Sequence, residues 1–424
     1  MKTVGIVTLG CRVNQYESVA LAELLQKKGF AIGKDGEKCD AYLVNTCSVT
    51  AESQRQCRQT VRRLASIAPT AVIGCASQAS PEEFSGMENV FYVGGCSDKS
   101  FAADAIETAC RKTVHVEPME HAAFEPMCVD GTSDLFSTCR AYLKIQDGCS
   151  GHCTYCIISS LRGPTRSRDK EDILAEAKRL VGAGYRELVL TGIETSAFSS
   201  CKLETLIEEL GELEELGLAR VRLGSLSSGT LRKPFLETVA GVHNFMPHIH
   251  LSLQSGSDRI LELMKRPDRR AQMEERVGLL REYLPRAQIS ADLITGFPTE
   301  TETDYLATES LVREFNLLHA HAFPYSERPG TPAASMAGSV PREVRKERCA
   351  RLNRVSDEVR GSILDGFVGK TVRVLIEKCV PDGLVGHTEE FLECTARGEG
   401  FSVGQIIDVR VDSHDGKRLC GIAL

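Results

Sequence analysis

The chain has 424 residues, 42% of them hydrophobic and 26% charged, with a formal net charge of −7. That length suits roughly two to four soluble domains. The acidic sum argues against a protein that coats nucleic acid non-specifically, because such affinity comes from cationic side chains. No apolar run reaches the roughly 18 residues needed to cross a bilayer. The opening MKTVGIVTLGC has no basic stretch followed by an apolar one, and the chain carries 17 cysteines, so a reducing cytoplasmic setting is expected.

Residues 1–115 alternate β-branched runs with amphipathic stretches: TVGIVTLGC, then 17–30, DAYLVNTC, 52–65 and AVIGC. This rhythm predicts a parallel α/β domain. Three of its apolar runs end at a cysteine, at Cys11, Cys47 and Cys75. Ligand sites in open parallel sheets gather beyond the carboxyl ends of strands, so these three thiols are expected to form a ligand set for an iron–sulfur cluster. Cys39, Cys57, Cys96, Cys110, Cys128 and Cys139 lack that placement in this reading and are expected to pack in the core.

Residues 116–138, with Pro118, Pro126 and Gly131, read as a linker. Over 139–366 a strand-then-helix rhythm recurs, with strands expected in AYLKIQDG, ELVLTG, RVRLGSL, HIHLSLQSG, QISADLITG and HAHAFPYS. Six such units predict a partial (β/α)6 TIM-type barrel whose site lies at the carboxyl ends of its strands. Residues 341–367 form one charged amphipathic helix that connects onward. Residues 367–424 change to short alternating strands with Gly turns, a small β-barrel.

QDGCSGHCTYC follows the first barrel strand and spaces Cys149, Cys153 and Cys156 as C-x₃-C-x₂-C. Three thiolates can hold three irons of a 4Fe–4S cube and leave the fourth open to an external ligand. A zinc site usually pairs two C-x₂₋₄-C knuckles instead. With an aromatic residue, Tyr155, just before the last cysteine, the run resembles the radical-SAM signature. There the open iron chelates S-adenosylmethionine, and one electron cleaves it to a 5′-deoxyadenosyl radical.

The resemblance extends along essentially the whole chain. TLGCRVNQYES, VNTCSVT and GCASQ are similar to the amino-terminal cysteine motifs of the methylthiotransferases, a radical-SAM family. RAYLKIQDGCSGHCTYCII, RGPTRSR, HLSLQSGSD, DLITGFPTET and FPYSERPGTPA are similar to its barrel motifs. The wording around Cys11 is most like the branch that modifies N6-threonylcarbamoyladenosine at position 37 of tRNA.

This resemblance implies two 4Fe–4S clusters, one on Cys149, Cys153 and Cys156 and an auxiliary one on Cys11, Cys47 and Cys75. It implies conversion of C–H to C–S–CH₃ at adenine C2, using two S-adenosylmethionine molecules and cluster-bound sulfur, on the tRNA anticodon arm. It also implies a TRAM-type carboxy-terminal barrel. The electron donor and the sulfur source are unidentified partners. Thr191, Gly192 and Ile193 would receive the methionine amino group. Ser252 and Gln254, which share a strand face by alternation, would contact the ribose and carboxylate together with Asp292. A plain turn and a polar barrel interior are the competing readings. The segment GIETSAFSS, with Glu194, departs from the family wording.

Arg162, Arg166 and Arg168, followed by Lys170, form a dense basic loop expected to meet tRNA phosphates. Arg55, Arg58, Arg62 and Arg63 recur at helical spacing, where a solvated face is the simpler reading. The carboxy-terminal barrel carries seven Lys/Arg against nine Asp/Glu, so it lacks the basic footprint of an RNA binder. Phe391 and Phe401 could stack a base or fill a core. The alternatives are a methylthiotransferase of isopentenyladenosine-37 or of a ribosomal-protein aspartate, and a non-catalytic iron–sulfur RNA-binding regulator.

Overall fold

A computed structural model describes residues 2–33, 36–108, 112–133, 135 and 139–424. The first unit is a six-stranded, all-parallel sheet of β1 (Thr3–Thr8), β2 (Ala31–Gly33), β3 (Ala41–Thr46), β4 (Thr70–Gly74), β5 (Val90–Gly94) and β6 (Thr113–His115). Its spatial order is β2-β1-β3-β4-β5-β6, so β1, β3, β4 and β5 are consecutive neighbours. Helices Arg12–Lys27 and Ala51–Ala65 bear out the two amphipathic stretches, the first beginning five residues earlier than expected because Cys11 itself is its N-cap.

The second unit contains β7 (Arg140–Lys144), β8 (Glu187–Thr191), β9 (Arg220–Leu223), β10 (Ser225–Leu226), β11 (His248–Gln254), β12 (Gln288–Thr295) and β13 (Leu317–Pro324). All pair in parallel, β7-β8-β9 and then β10-β11-β12-β13. β9 and β10 are one expected strand broken at Gly224, where a Cβ would sit 3.0 Å from the Leu190 carbonyl. The result is the open six-unit barrel. The helix Arg342–Asp365 lies along β13, and its Ser356 hydroxyl accepts from the Ala320 amide at 2.9 Å, covering an otherwise open edge.

The segment between the first sheet and the barrel is held down along much of its course. Glu23 accepts from the amides of Asp130, Thr132 and Ser133, while Met119, Met127 and Val129 are buried. One apolar core runs without a break from the first sheet through the barrel into the last unit.

That last unit is a closed barrel of β14 (Thr371–Val380), β15 (Gly383–Thr388), β16 (Glu393–Arg397), β17 (Ile406–His414) and β18 (Leu419–Ala423). It plugs the amino-terminal end of the (β/α)6 barrel. Arg220 and Arg222 donate to the carbonyls of Arg373, His387, Thr388 and Glu389, and Arg286 pairs with Glu389 and Glu390. Phe391 stacks between His248 and His387, with ring centroids at 4.9 and 4.6 Å, and Arg140 and Arg222 lie over its face. Base stacking by Phe391 is therefore corrected: the ring is occupied. Part of the acidic charge of this unit is likewise spent on docking.

Candidate active site

Three adjacent strands deliver the first cysteine set. β1 runs through Leu9 and Gly10 to Cys11, β3 ends directly at Cys47, and β4 ends at Cys75, the first residue of a short helix. Gly10 adopts φ +103°, and a Cβ there would meet Cys47 Sγ at 2.9 Å, so only glycine lets the two loops approach. Asn14 ties the loops together by donating to the carbonyls of Leu9 and Thr46. Cys11 feels the charge of Cys75, and Cys47 that of both Cys75 and Cys11. Burial pushes Cys47 up to about 12, whereas Cys75 is held below the ordinary thiol range by a hydrogen bond from Cys96 and by Arg162; Cys11 is exposed.

Cys96 is buried in the core as expected, and it packs beside this set. It follows β5, the next strand in the sheet, and its Sγ lies 3.8 Å from Cys75 Sγ. FYVGGC ends as AVIGC does, each strand delivering a cysteine to the same edge of the sheet. Cys57 supports Cys47 from behind, with its Sγ accepting the Cys47 amide at 3.2 Å. Cys39 and Cys139 are buried as expected, Cys128 is exposed, and Cys110 lies outside the described residues.

The second set sits on the loop after β7. Cys149 Sγ accepts from the Gly151 amide at 3.3 Å and Cys156 Sγ from the Ile158 amide at 3.4 Å. Arg266 reaches Cys153 Sγ at 3.6 Å while donating to the Ser252 carbonyl at 2.7 Å. Thr154 pins the loop through the carbonyls of Met264 and Leu263, and Tyr155 packs beside Met264, Phe297 and Tyr325. Such N–H···S bonds stabilise ligating thiolates, so both donor sets fit iron–sulfur ligation. Among the described residues no three His, Cys, Asp or Glu side chains converge on a single-ion site.

The residues expected at the barrel mouth fall as follows. Thr191 ends β8 and its carbonyl accepts the Ile145 amide at 2.9 Å. A Cβ on Gly192 would meet Gln146 Oε1 at 2.7 Å, and that same oxygen accepts the Glu194 amide at 2.8 Å. Glu194 is the departure noted above; burial raises its carboxyl, and its charge bears on Cys149. On β11, Ile249, Leu251 and Leu253 are fully buried, while His250, Ser252 and Gln254 line the half-open interior face. Ser252 shares a hydrogen bond with Ser225 at 2.7 Å, and Asp292 on β12 pairs with His250 at 3.2 Å. His321 lies 5.4 Å from His250. Period-two alternation thus places Ser252 and Gln254 together, and the interior face is polar.

The basic loop is corrected. Arg162 is fully buried, and Arg168 is 3% exposed and paired with Glu176 at 2.7 Å. Arg166 turns back onto the carbonyls of Arg162 and Pro164. A dense cationic run resembles a phosphate site in sequence, but here Arg162 and Arg168 lie between the first helix and the barrel, against carboxylates that the sequence places far away. By contrast Arg55, Arg62 and Arg63 are exposed on the helix after Cys47, Arg55 pairing with Glu52.

A three-cysteine loop at the carboxyl end of the first strand of a partial barrel defines a radical-SAM protein, and the family model described as "Radical SAM superfamily" matches residues 143–312. A second, "Uncharacterized protein family UPF0004", matches residues 3–96. The solved structure of the radical S-adenosylmethionine methyltransferase TsrM from Kitasatospora setae is similar in fold, with TM-score 0.57 at 17% identity over 78% of this chain and 77% of that one. Among curated proteins, the threonylcarbamoyladenosine tRNA methylthiotransferase MtaB of Bacillus subtilis (strain 168) is 32% identical over 97% of this chain and 94% of its own length. The MtaB of Rickettsia prowazekii (strain Madrid E) is 35% identical over 95% and 93%. A tRNA-2-methylthio-N(6)-dimethylallyladenosine synthase of Staphylococcus epidermidis (strain RP62A) is 31% identical over 97% and 83%. The chain belongs to the radical-SAM tRNA methylthiotransferase family.

Proposed function

We propose that this enzyme methylthiolates C2 of N6-threonylcarbamoyladenosine at position 37 of tRNA. The observation that carries the reading is the pairing of two three-cysteine sets, one ending three adjacent strands of the first sheet and one on the loop after β7, joined by Arg162. Cys149, Cys153 and Cys156 would hold the radical-generating 4Fe–4S cluster, and Cys11, Cys47 and Cys75 the auxiliary one. When bound, the first cluster supplies one-electron cleavage of S-adenosylmethionine, and the second carries the sulfur. Thr191, Gly192 and Ile193 would border the methionine end, with Ser252, Gln254 and Asp292 toward the ribose.

The substrate choice rests on charge. A threonylcarbamoyl group carries a carboxylate and an isopentenyl group does not, so the former needs a cation in the pocket. Arg12, next to Cys11, is half-buried, and its charge bears on His248 and His321 of the barrel interior. Its guanidinium forms no hydrogen bond or ion pair among the described residues, and we assign it to that carboxylate. No helix among the described residues is long and apolar enough to cross a membrane, which suits a cytoplasmic tRNA enzyme. The test is mass spectrometry of tRNA nucleosides from a strain lacking the protein. Loss of the methylthio form with accumulation of plain threonylcarbamoyladenosine is expected; loss of the methylthio isopentenyl form instead would overturn the substrate.

A further inference from the structure

Five of the ionisable side chains buried where the first unit meets the barrel form one cluster: Glu17, Lys99, Lys144, Asp147 and Arg162. Lys99 and Lys144 reach Glu17 at 2.7 and 3.0 Å, and Lys144 also reaches Asp147 at 2.6 Å. Arg162 makes the rest. One terminal nitrogen (Nη1) donates to Glu17 at 3.1 Å and Asp147 at 3.0 Å, the other (Nη2) to Asn14 Oδ1 at 2.8 Å and Glu17 at 3.4 Å. Its Nε–H points at Cys75 Sγ, 3.3 Å away. All five guanidinium N–H groups therefore have acceptors, which fixes the group in one pose.

The four Nη hydrogens are taken by Glu17, Asp147 and Asn14, so among the described residues Cys75 Sγ is the acceptor left to the Nε–H. We infer that Arg162 is a positioning residue for the auxiliary cluster: it orients the Cys75 thiolate and makes the cluster easier to reduce by donating Nε–H to that sulfur. The inference rests on Cys75 ligating a cluster, as proposed above. Hydrogen bonds to ligand sulfur and nearby positive charge raise cluster potentials. The same guanidinium grips Asp147, whose carboxylate accepts the Gly148 amide at 2.7 Å at the root of the second cysteine loop. One side chain thus spans both cysteine sets.

The test uses full-length protein carrying Ala at Cys149, Cys153 and Cys156, so that only the auxiliary cluster remains, reconstituted anaerobically and followed by redox titration with electron paramagnetic resonance. Arg162→Lys keeps the charge but cannot present the Nε–H fork. It should keep the iron content of its parent and become roughly tenfold harder to reduce, about 59 mV more negative for one electron. Pulsed resonance on protein labelled with ¹⁵N-arginine, Arg162 intact, should show a nitrogen coupled to the reduced cluster, independent of any variant's folding. An unchanged midpoint in a folded Lys variant, or no arginine nitrogen coupling, would overturn the inference. A parent that holds no iron would instead overturn the cluster assignment of Cys11, Cys47 and Cys75.

Discussion

Replacing Phe391 by Ala should release the carboxy-terminal barrel from the base of the (β/α)6 barrel. The ring stacks on two histidines and sits beneath two guanidinium groups. Each ring–ring contact is worth about 0.5–1.5 kcal/mol and each cation–π contact about 0.5–1 kcal/mol when not fully desolvated. The His387 contact lies within the carboxy-terminal barrel, so only His248, Arg140 and Arg222 count across the interface; together they give about 1.5–3.5 kcal/mol, before any loss of apolar burial. At about 1.4 kcal/mol per tenfold, the undocked population should rise by roughly 12- to 300-fold. Amide hydrogen exchange of peptides from β14 and β15 reads this directly, because amides protected only by docking exchange faster by that factor. Phe391 also holds φ +68°, a backbone strained for any residue with a Cβ, so Phe391→Gly should recover about 1 kcal/mol relative to Ala. Unchanged exchange in the Ala variant, or a Gly variant looser than the Ala one, would refute the plug.

Glu187, fully buried beneath Arg140, Arg220 and Arg222, is held down to about 2 despite the desolvation that opposes ionisation. A carboxyl lowered in the folded state contributes stability above its unfolded value and loses it as pH falls through the folded one. Chemical denaturation should therefore show this contribution intact above about pH 4.5 and disappearing toward about pH 2. Glu187→Gln should lose about 3–5 kcal/mol at neutral pH by taking the buried carboxylate from Arg220 and Arg222, while Arg140 keeps Glu377, and should flatten that acid limb. Iron analysis of reconstituted wild type should give about eight irons per chain, and Ala at either cysteine set about four; four in the wild type would sink the second cluster. Ala at Arg62 and Arg63 should lower the salt dependence of tRNA binding by about one log–log unit per lost phosphate contact, and an unchanged slope would show those side chains to be merely solvated.

What the sequence revealed follows from local physics. Strand–helix alternation and the ends of apolar runs are local signals, so the two sheets, the six-unit barrel and the cysteines at strand ends were all legible. Partners distant in sequence were not. Arg162 and Arg168 looked like a phosphate loop because nothing near them announces Glu17 and Glu176, which arrive from other elements. That Cys96 packs against Cys75 is not legible, although FYVGGC ends as AVIGC does, because it depends on β5 lying next to β4. The acidity of the last barrel made little sense alone; Glu377, Glu389 and Glu390 meet Arg140 and Arg286 only in the folded chain.

The purified, reconstituted enzyme, given S-adenosylmethionine, a reductant and sulfide, should be offered one tRNA in three forms: A37 threonylcarbamoylated, isopentenylated and unmodified. Digestion and mass spectrometry should find the methylthio group only in the first, and Arg12→Ala should weaken its use while leaving 5′-deoxyadenosine formation in the absence of tRNA intact. Conversion of the isopentenylated tRNA as well as or better than the threonylcarbamoylated one would contradict the account.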